Sequence, residues 1–283
     1  MKNLINDFLD HIEAEGKSAN TIDAYRRDLS LFLDRCDTTG ADAVTPKHID
    51  AFLLTLRHEG KAVSTVNRTI SAVKSLFAWA VEQGAVSENP ARFIRIRRTK
   101  AAPRTVLSLE EKSRLLKTLR TTVDPFALRD RTMIHLMLAT GIRVSELVNL
   151  DLTDRIDEKH IVVTRKGGKK ETVFLGSAIR GTLRLYLRKR KKAASDSTAM
   201  FMSRSGRITQ RSVQMRLKLW AERAGITKDV TPHVLRHTFA TDLLDRTGNL
   251  HLAQKALGHA SVETTTIYTH LEDDLLEDAL EAL

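Results

Sequence analysis

One stretch, Thr231–Leu271 (TPHVLRHTFATDLLDRTGNLHLAQKALGHASVETTTIYTHL), constrains the chain more than any other. It reads as two helices joined tightly, with polar residues at fixed places on them. Thr231 is a natural N-cap and Pro232 suits the first helical position. Val234, Leu235, Phe239, Ala240, Leu243 and Leu244 then recur at helical spacing. His233 and Arg236 are three residues apart, so they project from one face of this helix. A second helix runs from Leu250 to Leu257 after Asn249. Gly258 supplies the left-handed residue that ends helices, and His259 stands at that stop. Ser261 can cap another short turn, with Tyr268 just after it.

These residue types together suit one kind of chemistry. Arg236 offers a planar, permanently charged fork for phosphate oxygens. His233 and His259 can donate hydrogen bonds or move a proton near neutral pH. Tyr268 can act as a nucleophile once its proton is taken. Arginine, histidine and tyrosine without a carboxylate cluster point to attack on a phosphodiester that needs no metal and no cofactor. Any one of these residues, taken alone, also fits a hydrogen-bonded core role.

The charge balance agrees with a polyanionic partner. Lys and Arg number 46 against 35 Asp and Glu, a net charge of +11. A merely soluble basic surface would give the same excess. The single cysteine, Cys36, excludes an internal disulfide and reads as a small core residue in a reducing compartment. No apolar run has membrane length and no secretory signal is evident, so the expected location is the cytoplasm, with no membrane partner.

Residues 1–93 read as a helical domain. Asn3–Glu13 carries Leu4, Ile5, Phe8, Leu9 and Ile12 at three-four spacing. Ser18 or Asn20 can cap a second helix, a third starts near Pro46, and Ser64 can cap a fourth that ends near Gly84. Four amphipathic helices with short connections make a bundle. The fourth shows a polar stripe of Asn67, Arg68, Ser71 and Lys74 that could lie in a DNA groove or simply face solvent. Residues 94–104 are basic, contain Pro103, and read as an extended linker.

Residues 105–270 form the larger domain. Ser108 and Glu111 make a capping box, and an apolar helix covers roughly Phe126–Ala139 until Gly141 breaks it. In ATGIRVSELVNL, Arg143 opens a short helix, and Glu146 on the same face can hold a guanidinium. A surface Arg–Glu pair is the ordinary alternative. His160–Arg165 and Glu171–Leu175 are β-prone runs flanking Lys166-Gly-Gly-Lys-Lys170, a hairpin signal. Its tip presents Lys166, Lys169 and Lys170, able to reach a groove and protonate a leaving oxygen, or merely solvated. Arg184–Lys192 is a basic helix end, with Tyr186 on its packing side. Thr209 can cap Gln210–Ala224, whose polar side carries Arg211, Gln214, Arg216 and Lys218, a candidate groove-facing element. Residues 271–283 turn acidic and amphipathic, a helix that could fold back on its own core or dock on a neighbouring subunit.

The set Arg143 in ATGIRVSEL, Lys166 in RKGGKKETV, His233-Val-Leu-Arg236-His237, Leu257-Gly258-His259 and Tyr268 resembles the tyrosine site-specific recombinases, most closely the Xer-type resolvases and their integrase relatives. The resemblance extends over nearly the whole chain. It implies a mainly α fold with a small β-hairpin in the C-terminal domain. The N-terminal four-helix core-binding bundle and the catalytic domain would form a two-domain clamp around duplex DNA. It also implies roles: Tyr268 as nucleophile giving a 3′-phosphotyrosyl link, Arg143 and Arg236 as phosphate clamps, and Lys166 as general acid. His233 would assist proton transfer and His259 would bond the phosphate. Four protomers on two duplexes would pass through a Holliday junction, with a paralogue or accessory protein as a further possible partner. Chromosome or plasmid dimer resolution and mobile-element integration remain open.

Three rival readings stand beside it. A zinc nuclease could use His233 and His237, four apart, with His259 and His270, but Arg236 between them would repel the cation. A non-catalytic DNA-binding protein would not need the full constellation. A type IB-like topoisomerase uses similar chemistry and is separated by its lack of site dependence.

Overall fold

The computed structural model describes residues 1–36, 38, 40–96, 105–192, 196–258 and 269–281. The chain divides into two compact units, Met1–Ala101 and Ala102–Leu283.

The first unit is four helices: α1 (Lys2–Ala14), α2 (Ala19–Arg35), α3 (Pro46–His58) and α4 (Val63–Glu82). Each has one apolar stripe, and the stripes close on a shared core in which Phe32 meets Phe52 and Phe77 edge-on. Ser18 caps α2, its hydroxyl accepting the Thr21 N–H. Ser64 does not cap α4: Ala62 is the N-cap and Ser64 lies in the first turn. The reason is the tight exit from α3. Gly60 takes φ +70°, and the Lys61 N–H reaches back to the Leu56 carbonyl, so the chain is already aimed into the next helix by Val63. Cys36 is buried and unbridged, as its sequence context suggested.

The second unit is organised around α6 (Ala127–Thr140), buried on nearly every side. Packed against it are α5 (Leu109–Thr121), α7 (Val144–Asn149), α8 (Ser177–Lys192), α9 (Gln210–Arg223) and α10 (Pro232–Thr247). The Ser108–Glu111 capping box is present at α5, with reciprocal bonds of 3.2 and 2.7 Å. The strands β1 (His160–Thr164) and β2 (Lys170–Phe174) form the expected antiparallel hairpin, with Thr164 opposite Lys170. A short ribbon that the sequence did not signal, β3 (Met202–Ser203) with β4 (Gly206–Arg207), precedes α9. Next come α11 (Leu250–Ala256) and α12 (Thr269–Glu281).

Two basic residues turn out to have inward roles. Arg190, within the basic end of α8, is buried and donates to the carbonyls of Ser197 and Ala199. Tyr186 packs as expected, stacked on Phe201 and donating to the Met200 carbonyl at 2.9 Å. Arg216 on α9, expected on the groove-facing side, is held by Asp124 and by the fully buried Asp130 of α6. Asp130 also accepts from the Trp220 indole at 2.9 Å and from Arg129. A carboxylate taken wholly out of water must be paired, and these partners come from two helices. Burial pushes Asp124 up, but bonds from Arg216, the Phe126 N–H and Arg223 outweigh it and hold it below the usual carboxylate range.

Helix α12 lies on its own unit. Leu280 is buried among Phe174, Phe239, Leu243 and Ala253, and Glu281 pairs with Arg180. Of the two destinations open in the sequence, own core or neighbour, this structure has the tail on its own core.

The Asp130 network gives a stability test. In a Trp79→Phe background, Trp220 fluorescence follows urea unfolding of the second unit. Asp130→Asn leaves the buried Arg129 without its carboxylate and Arg216 with Asp124 alone, and should cost about 3–5 kcal/mol. Because Asp124 is depressed, the part of the network it supplies is complete above the ordinary aspartate pKa and is lost as pH falls through the lower folded value. An unchanged urea midpoint for Asp130→Asn would remove the network from the stability of α9.

Candidate active site

The site is assembled at chain breaks in three helices. Gly141 ends α6 in the left-handed region, φ +62°, and a Cβ there would lie 2.3 Å from the Phe239 ring. Only glycine meets both conditions. The turn leaves Arg143 extended as the N-cap of α7. Glu146, one turn on, folds back: its carboxylate accepts the Arg143 N–H at 2.7 Å and the Arg143 guanidinium at 2.8 Å. Glu146 is 5% exposed, whereas 37% of the Arg143 side chain remains exposed. The pair is therefore not a solvated surface pair. One side of the Arg143 fork is anchored and the rest stays accessible.

Arg236 enters from α10, whose start is fixed by the Thr231 cap. Its guanidinium spans two helix ends, donating to the Gly141 carbonyl at 2.6 Å and to the Leu257 carbonyl at 2.7 Å. These are C-terminal carbonyls of α6 and α11, groups a helix leaves unsatisfied. His233 lies one turn before Arg236 and is exposed. Arg236 is 8% exposed, and burial, followed by the nearby Arg143 charge, pulls its pKa down to about 10. Glu146 works in the opposite direction. Arg236 remains a cation at neutral pH, and it is the kind of cation that an added anion would stabilise.

A third guanidinium completes the pocket. Arg165 follows β1 and is buried, bonded to Glu146 at 2.9 Å and to both oxygens of Glu171 at 3.1 Å. Burial pushes Glu146 up, but the Arg143 bonds and the Arg165 and Arg143 charges overcome it and hold the carboxyl below its usual range. Arg143, Arg165 and Arg236 thus face the carboxylates of Glu146 and Glu171, leaving the cluster one positive charge in excess. Such a pocket favours an anion with several oxygens.

Lys166 sits in the one-turn 3-10 helix Lys166–Gly168 at the hairpin tip, where Gly167 and Gly168 both take positive φ. Lys169 and Lys170 are exposed there. Gly258, at φ +63°, packs so closely on Arg165 that a Cβ would lie 2.9 Å from its Nε. His259, the next residue, and Tyr268 lie outside the described residues. Among the described residues, no group of three or more His, Cys, Asp or Glu is disposed to hold a metal ion. Arg211 is exposed on α9, Lys74 half-buried on α4, and Arg68 is paired bidentately with the buried Asp28 while keeping 46% of its side chain exposed.

Arg165 and Glu171 are the residues that motif reading passed over. The signal was present: Ile161, Val163 and Arg165 alternate along one strand, and the first two are apolar. Period two puts the arginine on the same inward face, where a charge requires a carboxylate.

Comparison with known proteins identifies the family. Residues 105–274 match the model of the phage integrase family, and residues 5–84 match the phage integrase N-terminal SAM-like domain. The tyrosine recombinase XerC of Xanthomonas axonopodis pv. citri is 35% identical over 284 residues, spanning 95% of this chain and 92% of the relative. The tyrosine recombinase XerD of Listeria innocua is 36% identical over 289 residues, spanning 98% and 97%. The fold resembles that of lambda integrase residues 75–356 in a dimer bound to a COC′ core site, at TM-score 0.75 and 19% identity, over 94% of this chain and 99% of that one. A lambda integrase tetramer bound to a Holliday junction aligns at TM-score 0.74 and 19% identity, over 94% and 79%. An arginine pocket of this build, inside a chain that aligns almost end to end with such enzymes, places the protein in the phage integrase family of tyrosine recombinases.

Proposed function

We propose that this recombinase cuts and rejoins duplex DNA at a defined site through a 3′-phosphotyrosyl intermediate, with Arg143 and Arg236 as the phosphate clamp. The observation that carries the reading is the Arg143–Glu146–Arg236 pocket: two guanidinium groups fixed by one carboxylate and two helix-end carbonyls, with an excess positive charge. Donors fixed in advance cost no reorganisation as charge builds on the transferring phosphate.

In the first step the Tyr268 oxygen attacks the phosphorus and its proton passes to His233. The bond from phosphorus to the 5′ oxygen breaks, and Lys166 gives that oxygen a proton. His259 donates a hydrogen bond to a non-bridging oxygen. The phosphodiester energy is kept in the tyrosyl link, so the reverse attack by a 5′-hydroxyl rejoins the strand with no metal, no ATP and no other cofactor. Two such rounds on two duplexes make and resolve a Holliday junction, which requires four protomers. The solved lambda integrase tetramer on a Holliday junction supports that assembly. A paralogue or accessory protein could complete it in the cell. The substrate places the enzyme in the cytoplasm with the nucleoid, and among the described residues no helix is long and apolar enough to cross a membrane.

Contacts to the duplex backbone are assigned to Arg68 and Lys74 on α4 and to Arg211 and Arg216 on α9. Arg211 is exposed. Arg68 and Arg216 would serve DNA only with the part of each guanidinium that Asp28, Asp124 and Asp130 leave open.

Three outcomes are expected. Host DNA fragments incubated with the protein in EDTA should give adducts that survive detergent, are released by protease and cluster at one sequence, and Tyr268→Phe should abolish them. Adducts at every sequence would indicate a topoisomerase, and cleavage only after metal is restored would sink the tyrosine mechanism. Arg143→Ala or Arg236→Ala should slow adduct formation by roughly 10²–10³-fold, the usual loss for one transition-state donor, in a single-turnover assay. Arg211→Ala should flatten the plot of log binding constant against log salt by about one, the contribution of a single phosphate contact. An unchanged slope would take Arg211 off the DNA.

A further inference from the structure

We propose that Arg165 is a positioning residue that holds the Lys166 turn in register with the phosphate clamp. The proposal rests on Lys166 being the general acid for the 5′ oxygen.

Arg165 touches three separate parts of the site. Nη1 donates to Glu146, the carboxylate that also orients Arg143. Nε and Nη2 donate to the two oxygens of Glu171 on β2, so the guanidinium bridges the two sides of the hairpin beside its turn. The Cα of Gly258 packs on its guanidinium so tightly that any larger residue there would collide with it. The Arg165 main chain also closes the turn: its N–H donates to the Lys169 carbonyl at 2.7 Å, and its carbonyl accepts the Gly168 N–H at 3.1 Å. Lys166 is the next residue in that turn. All three guanidinium nitrogens of Arg165 have protein partners and the side chain is buried, so it is built to fix other groups rather than to bind phosphate.

The need for such an anchor follows from the hairpin. Two strands alone make a marginal ribbon, and an acid must stand within hydrogen-bond reach of the atom it protonates. With Glu146 bonded to both Arg143 and Arg165, the phosphate clamp and the acid-bearing turn share one reference point.

Leaving-group chemistry separates this role from general structural support. When the 5′ oxygen departs, it needs a proton. When sulfur replaces it in the bridging position, the thiolate leaves unprotonated, since a thiol has a pKa of about 8.5. Lys166 is then dispensable, while Tyr268 and the arginine clamp are still required. The test uses full-length protein and duplexes carrying the mapped site with oxygen or sulfur at that position, scored by single-turnover adduct formation. Arg165→Gln should lose about 10²-fold on oxygen, within the range of general-acid effects, and recover most of that on sulfur, as Lys166→Ala should. Arg143→Ala should be slow on both. Glu171→Gln keeps the Arg165–Glu146 pair and loosens only the hairpin side, so a smaller but equally oxygen-specific loss is expected even if Arg165→Gln folds poorly. Equal losses on both substrates in Arg165→Gln and Glu171→Gln, or no loss in either, would overturn the proposal. If Lys166→Ala fails on sulfur as badly as on oxygen, the acid assignment itself falls and the Arg165 role falls with it, a result identified by the variant that leaves Arg165 intact.

Discussion

Three guanidinium groups, those of Arg143, Arg165 and Arg236, stand close together at the edge of the protein interior. The Glu146 carboxylate makes this possible. It accepts from the Arg143 main chain, the Arg143 guanidinium and Arg165, and it lies near enough to Arg236 to oppose the fall in that residue's pKa. Without it, two guanidinium groups would lose their shared partner at a buried position, a cost of several kcal/mol. With full neutralisation, an incoming anion would gain little. The cluster stops between those limits, with one positive charge left over.

The same physical device appears at the other end of α6, in its first turn. Asp130 is wholly buried and gathers Arg129, Arg216 and Trp220, tying α9 to α6. The two carboxylates differ in what they leave exposed. Around Asp130 the cations are mostly enclosed, and the network contributes to the fixed packing of two helices. Around Glu146, more than a third of the Arg143 side chain still faces solvent. A buried carboxylate is thus used once to close a core and once to anchor a guanidinium that stays accessible.

Much of this was legible in the sequence because it depends on local physics. Helical periodicity, the Ser18, Ser108 and Thr231 caps, and the glycine stops at Gly141 and Gly258 involve residues within a turn of each other, and the structure has each of them. The Glu146 contact to Arg143 was legible for the same reason. What escaped involves partners far apart in the chain. The polar side of α9 does not reveal that Arg216 will meet Asp130, 86 residues earlier. The basic run on α8 does not reveal that Arg190 turns inward to cap two carbonyls. The β3–β4 ribbon is too short for any periodicity to register. Arg165 is the intermediate case: its inward phase follows from Ile161 and Val163, but its two carboxylate partners require the folded hairpin and α7 together.

The seat of α12 belongs to the same line of contacts. Leu280 packs in one cluster with Phe239, and the Phe239 ring fills the space that a side chain on Gly141 would need. The Gly141 carbonyl in turn holds Arg236. From the C-terminal helix to Arg236 there are therefore three consecutive steps, each between well-packed or hydrogen-bonded groups. Close packing of this kind does not deform gradually, since a gap of even a fraction of an ångström forfeits much of the contact energy. The acidic helix is consequently more than a solubilising tail. Its apolar face completes the cluster that supports the glycine turn, and the turn orients one of the two arginines. The seating of the C-terminal helix and the geometry of the arginine pocket are parts of one packing problem.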